Sequence, residues 1–319
     1  MKRAHAWIVW MGCVLALTGG PPREAVADDA VEQPRPATSA RADLGSSSRE
    51  ARRRAIEALR LEEMPEPQRR AIEPCLAAAT LYRRLPVETI ACDGQLLDFA
   101  LSKPEAIVDI WRVLGISRLA LDPVGDAQWR LSDGYGTVGV LRLVHHERSG
   151  RGGTLVFHGR GAYAGPLSPK NLSGSCVLLV RHAPAMPAAD GRERHSIQID
   201  SFLDVDGVGL EIVTRTLQPL IVRSAAMNFH EICLFMSTLS DSARTNPEGV
   251  AQIAGRLART DPADRDTLSA IARRAGRPAV GARPLAPAAP LVGADADRLQ
   301  LELAARWLSA DELDRLQTR

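Results

Sequence analysis

Lysine and aromatic side chains are scarce in this 319-residue chain. Lys2, Lys103 and Lys170 are the only lysines, and arginine supplies the rest of the 40 basic residues, as a GC-rich coding sequence tends to do. With 38 acidic residues the net charge is only +2, which argues against a broad basic surface for non-specific nucleic-acid binding. Five tryptophans, five phenylalanines and three tyrosines are too few for a large aromatic cage around a ligand.

The sequence also lacks the short motifs that mark common catalytic and metal sites. No pair of cysteines has C-x-x-C spacing, so no zinc site of that type is predicted. His230-Glu231 begins like the helical zinc motif H-E-x-x-H, but Leu234 stands where the second histidine belongs. The segment 173–176, Ser-Gly-Ser-Cys, lacks the second glycine of a G-x-S-x-G nucleophile elbow.

Glycines and histidines near predicted strands leave a choice between a site and an ordinary structural role. Gly159, Gly161 and Gly165 lead into Pro166 rather than a helix, so they predict no dinucleotide-binding loop. Five histidines in or near strand ends are interpreted as solvated residues, although two or three of them could converge: His145, His146, His158, His182 and His195. We therefore predict no metal ion, no cofactor and no catalytic residue.

The first 27 residues have the form of a secretory signal peptide. Lys2 and Arg3 precede a mostly apolar stretch over 6–17, and Ala25-Val26-Ala27 fits a cleavage site for small residues. Cleavage near Ala27 leaves no stable membrane span, and it makes the mature chain formally neutral because three basic residues and one acidic residue are lost. We expect an exported protein, periplasmic or extracellular. An uncleaved anchor and a lipoprotein cleaved before Cys13 are the alternatives.

Export makes disulfides chemically possible for the four cysteines of the mature chain. Four cysteines allow three complete pairings, and the sequence does not choose among them. Cys176 opens an apolar strand and Cys233 lies on a long helical pattern, positions where a free buried thiol packs as a small hydrophobe. Free thiols are the simpler expectation, and disulfides remain open, at Cys75, Cys92, Cys176 and Cys233.

Composition and periodicity divide the mature chain into six segments. They are a flexible leader at 28–45, a helical N-terminal appendage at 46–84, a core domain at 85–245, a helical extension at 246–276, a Pro/Ala-rich linker at 277–293 and an amphipathic C-terminal helix at 294–319.

Within the core the pattern predicts an α+β fold. A short β-branched strand, Pro86–Cys92, precedes two helical pieces, Gln95–Leu101 and Pro104–Leu114. Six strands then follow, with turn residues between them: Ser117–Leu121, Ala127–Leu131, Thr137–His145, Gly153–Ala162, Ser175–His182 and His195–Val205.

The last of these strands, His195–Val205, is followed by the longest helical pattern of the chain. Ile197, Ile199 and Leu203 alternate with polar residues in the strand, which predicts an antiparallel sheet with one covered face and one solvated face. The helix, predicted over Asp206–Ser240, would be about 50 Å long. It is therefore the expected cover of the sheet.

This order of elements resembles the helix-grip fold of the START-like ligand-binding superfamily over residues 85–240. The resemblance implies a curved antiparallel sheet that grips the long C-terminal helix, with helical extensions at both ends of the chain. It also implies a cavity between sheet and helix for a lipid, a sterol or a polyketide-like molecule. The stretches 81–86 and 133–137 are similar to those of uncharacterised exported bacterial proteins, which implies no activity.

Polar residues on faces that should be buried are the candidates for ligand contact. Asn228 projects from the centre of the apolar stripe of the long helix and Glu231 from its flank, while Ser201 is the polar exception on the apolar side of the last strand. Small-molecule pockets are mostly apolar with a few placed polar groups, so we predict that these three residues bind a ligand. The alternative is that Asn228 bonds nearby backbone.

These observations predict an exported, non-catalytic protein that binds a hydrophobic small molecule or lipid between the sheet and the long helix. The alternative is a cell-envelope scaffold or interaction module with a filled core, whose C-terminal helix binds a protein partner. An enzyme ranks third, since no catalytic constellation is found. Two or more strand histidines meeting an acidic residue around a cleft would favour it.

Overall fold

A computed structural model describes residues 45–150, 152–164, 172–188, 191–206, 210–276 and 295–308, with residues 312, 313 and 315. The side chains of 210–222 and of Asp295 are not part of this description. The predicted signal peptide at 1–27, nearly all of the leader and the linker at 277–293 lie outside the described residues.

The described chain is α+β, as predicted. Its helices are α1 Arg49–Ala58, α2 Glu66–Ala78, α3 Gly94–Ser102, α4 Pro104–Val113, α5 Leu210–Thr245, α6 Pro247–Gly255, α7 Pro262–Ala275 and α8 Asp295–Ala304, with a 3₁₀ turn at Leu61–Glu63. Its strands are β1 Leu81–Arg84, β2 Glu88–Ala91, β3 Ala120–Gly125, β4 Gln128–Ser132, β5 Thr137–Ser149, β6 Gly152–Tyr163, β7 Leu172–Ala185 and β8 Arg194–Asp206.

Local sequence signals begin several of these helices. Ser48 and Asp93 cap α1 and α3 by accepting hydrogen bonds from backbone N–H groups of the first turn. Proline occupies the first position of α4, α6 and α7, where its missing N–H has no intrahelical partner to lose.

The eight strands form one curved antiparallel sheet in the order β1-β8-β7-β6-β5-β4-β3, and β2 also pairs with β8. The first strands of the chain therefore lie beside the last. The single strand predicted at Pro86–Cys92 is wrong in its bounds, because the edge is divided into β1 and β2. Pro86 lies in the break, where it has no N–H to give to the ladder.

The sheet has helices on both faces. The inner face packs against α3 to α8 in a large apolar core, and the outer face packs against α1 and α2 in a second core. Successive residues of β7 alternate between them, with Leu178 in the inner core and Leu179 in the outer one. The predicted solvated face is therefore wrong along β7 and β8, because the helices of segment 46–84 cover it. The last residues of that segment, Leu81–Arg84, join the sheet as β1.

Asp200 of β8 is the most buried acidic group of the outer face, with no exposed side-chain area. Its carboxylate accepts from the Tyr82 hydroxyl at 2.6 Å, from Arg84 Nε at 2.8 Å and from Arg181 Nη2 at 2.7 Å. Arg84 also donates to the carbonyl of Ala51 in α1 at 3.3 Å. Burial, and then the Asp200 carboxylate, raise the pKa of Tyr82. This network joins β1, β7, β8 and α1.

The long helix α5 begins and ends a few residues later than its predicted bounds, Asp206–Ser240, and it continues through Pro219.

The amphipathic C-terminal segment docks on the body through α8. Leu299, Leu303 and Ala304 join the inner core, and Gln300 Nε2 donates to the carbonyl of Val113 at the end of α4 at 2.7 Å.

We predict that Arg84→Met lowers the free energy of unfolding by about 3 kcal/mol, because it removes one of two guanidinium groups from a buried carboxylate. The matched control is Arg53→Met in α1, whose ion pairs with Glu50 and Glu57 are exposed and contribute little to stability because water and salt screen them. Urea denaturation at neutral pH measures both. Equal losses in the two variants would contradict the role assigned to the Asp200 network.

Candidate functional site

The helix α5 runs along the inner face, back beside β8. It begins at Leu210, close after the end of β8 at Asp206. Further along, His230 Nδ1 lies 3.0 Å from Glu88 Oε1 of β2, and Glu88 pairs with Ile197 near the start of β8. The helix therefore extends from one end of the inner face towards the other.

A row of three glycines crosses the sheet at the end where α5 begins. Gly139, Gly161 and Gly174 are register neighbours on β5, β6 and β7, and they share the inner face with Leu141. A Cβ atom at these positions would lie 2.8, 2.7 and 2.5 Å from a carbonyl oxygen of an adjacent strand. The strand backbones thus approach too closely for a side chain, and the row leaves the inner face without side-chain volume.

Val205 is the apolar side chain beside this row that is only partly covered, whereas Leu141, Tyr163 and Leu172, each two residues from the row along a strand, are buried. Leu143 and Ile199 also keep some solvent exposure, but they lie farther along the inner face, opposite Phe157 and Val180. Val205 is the register neighbour of Gly174. The glycine end of the inner face therefore combines missing side chains with accessible aliphatic surface.

Asn228 lies at the edge of the buried face of α5 and not at its centre as the projection predicted. Phe229, Ile232 and Met236 define that face, and Asn228 is half-buried beside it. Its side chain makes no hydrogen bond to any residue that the structure describes. The amide is thus open to a further polar partner.

The other two predicted site residues already have partners within the chain. Ser201 Oγ donates to the carbonyl of Arg83 in β1 at 3.3 Å. The Glu231 carboxylate accepts from Trp307 Nε1 at 3.1 Å and from Arg306 Nε at 3.2 Å. Glu231 therefore holds the segment after α8 against α5, while the Trp307 ring lies 5.6 Å from that of Phe235.

The five strand histidines are divided between the faces by the pleat and by a bulge. The register of β5 shifts between Leu143 and His145, so His145 faces the outer side and His146 the inner side. The cross-strand pairs place His158 outside, opposite Val177, and His182 inside, opposite Ile197. His195 also faces inward, because it is two residues from Ile197. The sequence alone does not assign these histidines to the inner or the outer face, because the bulge in β5 depends on how the strands pair.

His182 and His195 are buried rather than solvated, so the solvated interpretation is wrong for this pair. Their exposed fractions are 6% and 3%. Within the described residues, His182 Nδ1 and both ring nitrogens of His195 have no hydrogen-bond partner. Each such group costs about 1–3 kcal/mol if it stays unpaired. Burial lowers the pKa of His182, while Asp98 of α3 acts against that shift and His195, His146 and Arg148 add to it.

Metal-ligating geometry is not found in the described part of the chain, where no group of three or more His, Cys, Asp or Glu side chains could hold an ion.

The four cysteines of the mature chain are free and buried. Cys75 belongs to the outer core, whereas Cys92, Cys176 and Cys233 belong to the inner one. The sheet separates Cys75 from the others, so all three complete disulfide pairings are excluded in this fold.

Comparisons with known proteins add little. No protein-family model and no curated protein matches the chain. Nine solved chains match, and one of them is an uncharacterised protein from Rhizobium leguminosarum, 12% identical, in an alignment that covers 47% of this chain and 95% of that one. The TM-score is 0.25, so this similarity carries no argument.

Among the described helices, none is long and apolar enough to cross a membrane.

We predict that Glu231→Ala releases the C-terminal segment, because Arg306 and Trp307 lose their shared acceptor. Amide hydrogen exchange over residues 295–308 should accelerate, and stability should fall by about 1 kcal/mol, since the pair is partly exposed. Glu302→Ala is the control, because Glu302 bonds Arg298 within α8. Unchanged exchange in Glu231→Ala would show that Glu231 does not anchor the segment.

We predict that the protein loses stability as the pH falls through 6.5. Burial is the main cause that lowers the pKa of the partly buried His158 and of the buried His182 below the ordinary value of 6.5. As the pH falls below 6.5, the unfolded chain binds protons at these rings before the folded chain does. The stability that the neutral histidines contribute is therefore complete above pH 6.5 and is lost as the pH falls towards their lowered pKa values in the folded state.

Urea midpoints between about pH 8 and 5.5 test this, because ordinary carboxylates titrate lower, near pH 4. Burial raises the pKa of the Glu105 carboxyl, so its protonation adds stability on acidification and opposes the histidine effect. His182→Gln should reduce the slope of stability against pH. A midpoint that rises on acidification would contradict the prediction.

Proposed function

We propose that this chain is an exported, non-catalytic helix-grip protein of START-like architecture that binds a hydrophobic small molecule or lipid between the sheet and α5. The element order supports the proposal: a divided edge strand, two helices, six antiparallel strands and a long helix. The pairing of β1 and β2 with β8 also supports it, since a sheet whose first and last strands are adjacent can enclose a closing helix.

The observation that carries the proposal is the glycine row of β5, β6 and β7. A helix packed on a sheet normally meets side chains that fill the space between the two backbones. Gly139, Gly161 and Gly174 supply none, and Val205, the register neighbour of Gly174, offers accessible aliphatic surface beside them. An aliphatic chain would bury this surface, at about 25 cal/mol per Å².

Asn228 is the main polar contact in this proposal. Its side chain is half-buried, and its amide can both donate to and accept from a ligand head group. Ser201 keeps acceptor capacity on Oγ while it donates to Arg83. Glu231 takes part only where a ligand competes with Arg306 and Trp307 for its carboxylate.

Export remains part of the proposal, with cleavage near Ala27 and a periplasmic or extracellular destination. The signal-like segment 1–27 is its support. Free, buried cysteines are compatible with an oxidising compartment, because the sheet keeps Cys75 away from the other three.

The second candidate, a cell-envelope interaction module, is favoured by one patch on the outer face. Val138 and Val140 of β5 are 56% and 39% exposed, beyond the area that α1 and α2 cover. Arg130 and Arg160 flank Val140 in register, and Arg142 is two residues along. This patch suits an acidic protein partner better than α8 does, since the apolar face of α8 is buried in this chain.

We predict that native mass spectrometry of the mature protein from its own host shows a co-purifying mass of lipid size. The fluorescent fatty acid cis-parinaric acid should bind, and Val205→Phe should weaken it about tenfold by filling the space beside Gly174. Asn228→Leu should weaken it less, by the loss of one hydrogen bond.

Val140→Phe is the matched control, because Val140 lies on the outer face. Absence of both the co-purifying mass and parinaric acid binding would refute the ligand proposal. The interaction module would be favoured if no ligand binds and if the wild-type protein forms a stable protein complex that Val140→Glu does not form.

A further inference from the structure

The end of the inner face opposite the glycine row has a different chemistry. His182 of β7 pairs with Ile197, and His195 of β8 pairs with Pro184, so the two imidazoles are diagonal neighbours on one face. Eight residues separate Gly174 from His182 along β7, or roughly 26 Å of strand. The two ends are therefore separate sites.

A glycine lies against each imidazole, tightly at His182 and at an ordinary contact distance at His195. Gly153 of β6 is the register neighbour of His182, and a Cβ there would lie 3.1 Å from His182 Nε2. Gly94 is the first residue of α3, and a Cβ there would lie 3.6 Å from His195 Nε2. The rings are thus enclosed between the sheet and the start of α3.

Inside this enclosure the two rings are nine-tenths or more buried and lack partners. His182 Nδ1 and both nitrogens of His195 bond to nothing in the described residues. The nearest acid to His195 is Glu193, whose Oε2 is 3.9 Å from Nε2 and accepts from the backbone N–H of Gly94 at 3.1 Å. Native proteins rarely leave such nitrogens unpaired, so a further polar group belongs there.

A carboxylate on α3 adds a negative charge near this pair. Two strand histidines thus approach an acidic residue, but both rings are buried, whereas catalysis would need them exposed to a cleft. Asp98 is one helical turn after Gly94, so both residues lie on one face of α3. It is half-buried, and its side chain forms no hydrogen bond or ion pair within the described chain, although it acts electrostatically on both His182 and His146. His146 and Arg148 of β5 are exposed on the open side of the cluster.

We propose that His182, His195 and Asp98 bind a small ammonium group, either a free amine or the amine of a lipid head group. A neutral imidazole offers one acceptor nitrogen, and a carboxylate only accepts, so the cluster suits a ligand rich in N–H donors. Asp98 and Glu193 repel an anion, and their two negative charges outweigh the positive charge of Arg148 at the open side. In the described part of the chain no three His, Cys, Asp or Glu side chains could hold a metal ion together, so a divalent cation is the weaker occupant. For the same reason we assign the direct contacts with the ammonium group to the imidazoles, and Asp98 attracts it by its charge.

Imidazole NMR on the ¹⁵N-labelled mature protein at pH 7.5 tests the site with ethanolamine as the probe. We expect saturable shifts of His182 and His195, and no comparable shift of His158 on the outer face. Acetate and glycerol are the matched anionic and neutral probes, and sodium chloride controls ionic strength. Vesicles containing phosphatidylethanolamine, compared with phosphatidylglycerol vesicles, distinguish a lipid head group from a free amine.

Asp98→Asn should weaken ethanolamine binding about tenfold, because it removes the negative charge that attracts the ammonium group. It should leave the melting temperature without ligand unchanged, since Asp98 bonds nothing in the described chain. Asp126→Asn, at the exposed turn between β3 and β4, is the control variant. No saturable shift beyond that of sodium chloride, an equal response to glycerol, or stoichiometric zinc binding without an ethanolamine response would each overturn the proposal.

Discussion

The buried carboxylate of Asp200 is the constraint on which the layers of this protein depend. A fully buried charge is tolerated only when donors replace its water, and Tyr82, Arg84 and Arg181 supply them. Two of these donors come from β1 and one from β7, so β1 must lie beside β8. Arg84 also reaches α1, which fixes the outer layer and leaves the inner face to the other helices.

The inner face then has two ends with different physical properties. At one end, three register-matched glycines remove side-chain volume where strand backbones approach closely. At the other end, two buried imidazoles occupy this face, and Gly153 lies tightly against one of them, His182. Strand backbones approach closely at Gly153 as well, but there the register neighbour is a histidine and not another glycine.

The sequence predicted the order of the elements well, and it predicted the surroundings of the three candidate ligand residues less well. The strands β4 to β8 and the helices α3 and α4 lie close to their predicted positions, since alternation, proline and capping residues act locally. Asn228 lies on the predicted helix, but at the edge of its buried face and not at the centre, where the helical projection had predicted it. Glu231 and Ser201 have intramolecular partners that no spacing indicates, because Trp307 and Arg83 come from distant parts of the chain.

The sequence by itself determined which segments become helices and strands, since that depends on residues within a few positions of each other. Tertiary structure alone decided which strands are neighbours, and therefore that Gly139, Gly161 and Gly174 form a row. It also decided that His182 and His195 are buried while His145 and His158 face the other side. Register and bulges are set by long-range pairing, and a shift of one residue turns every side chain to the opposite face.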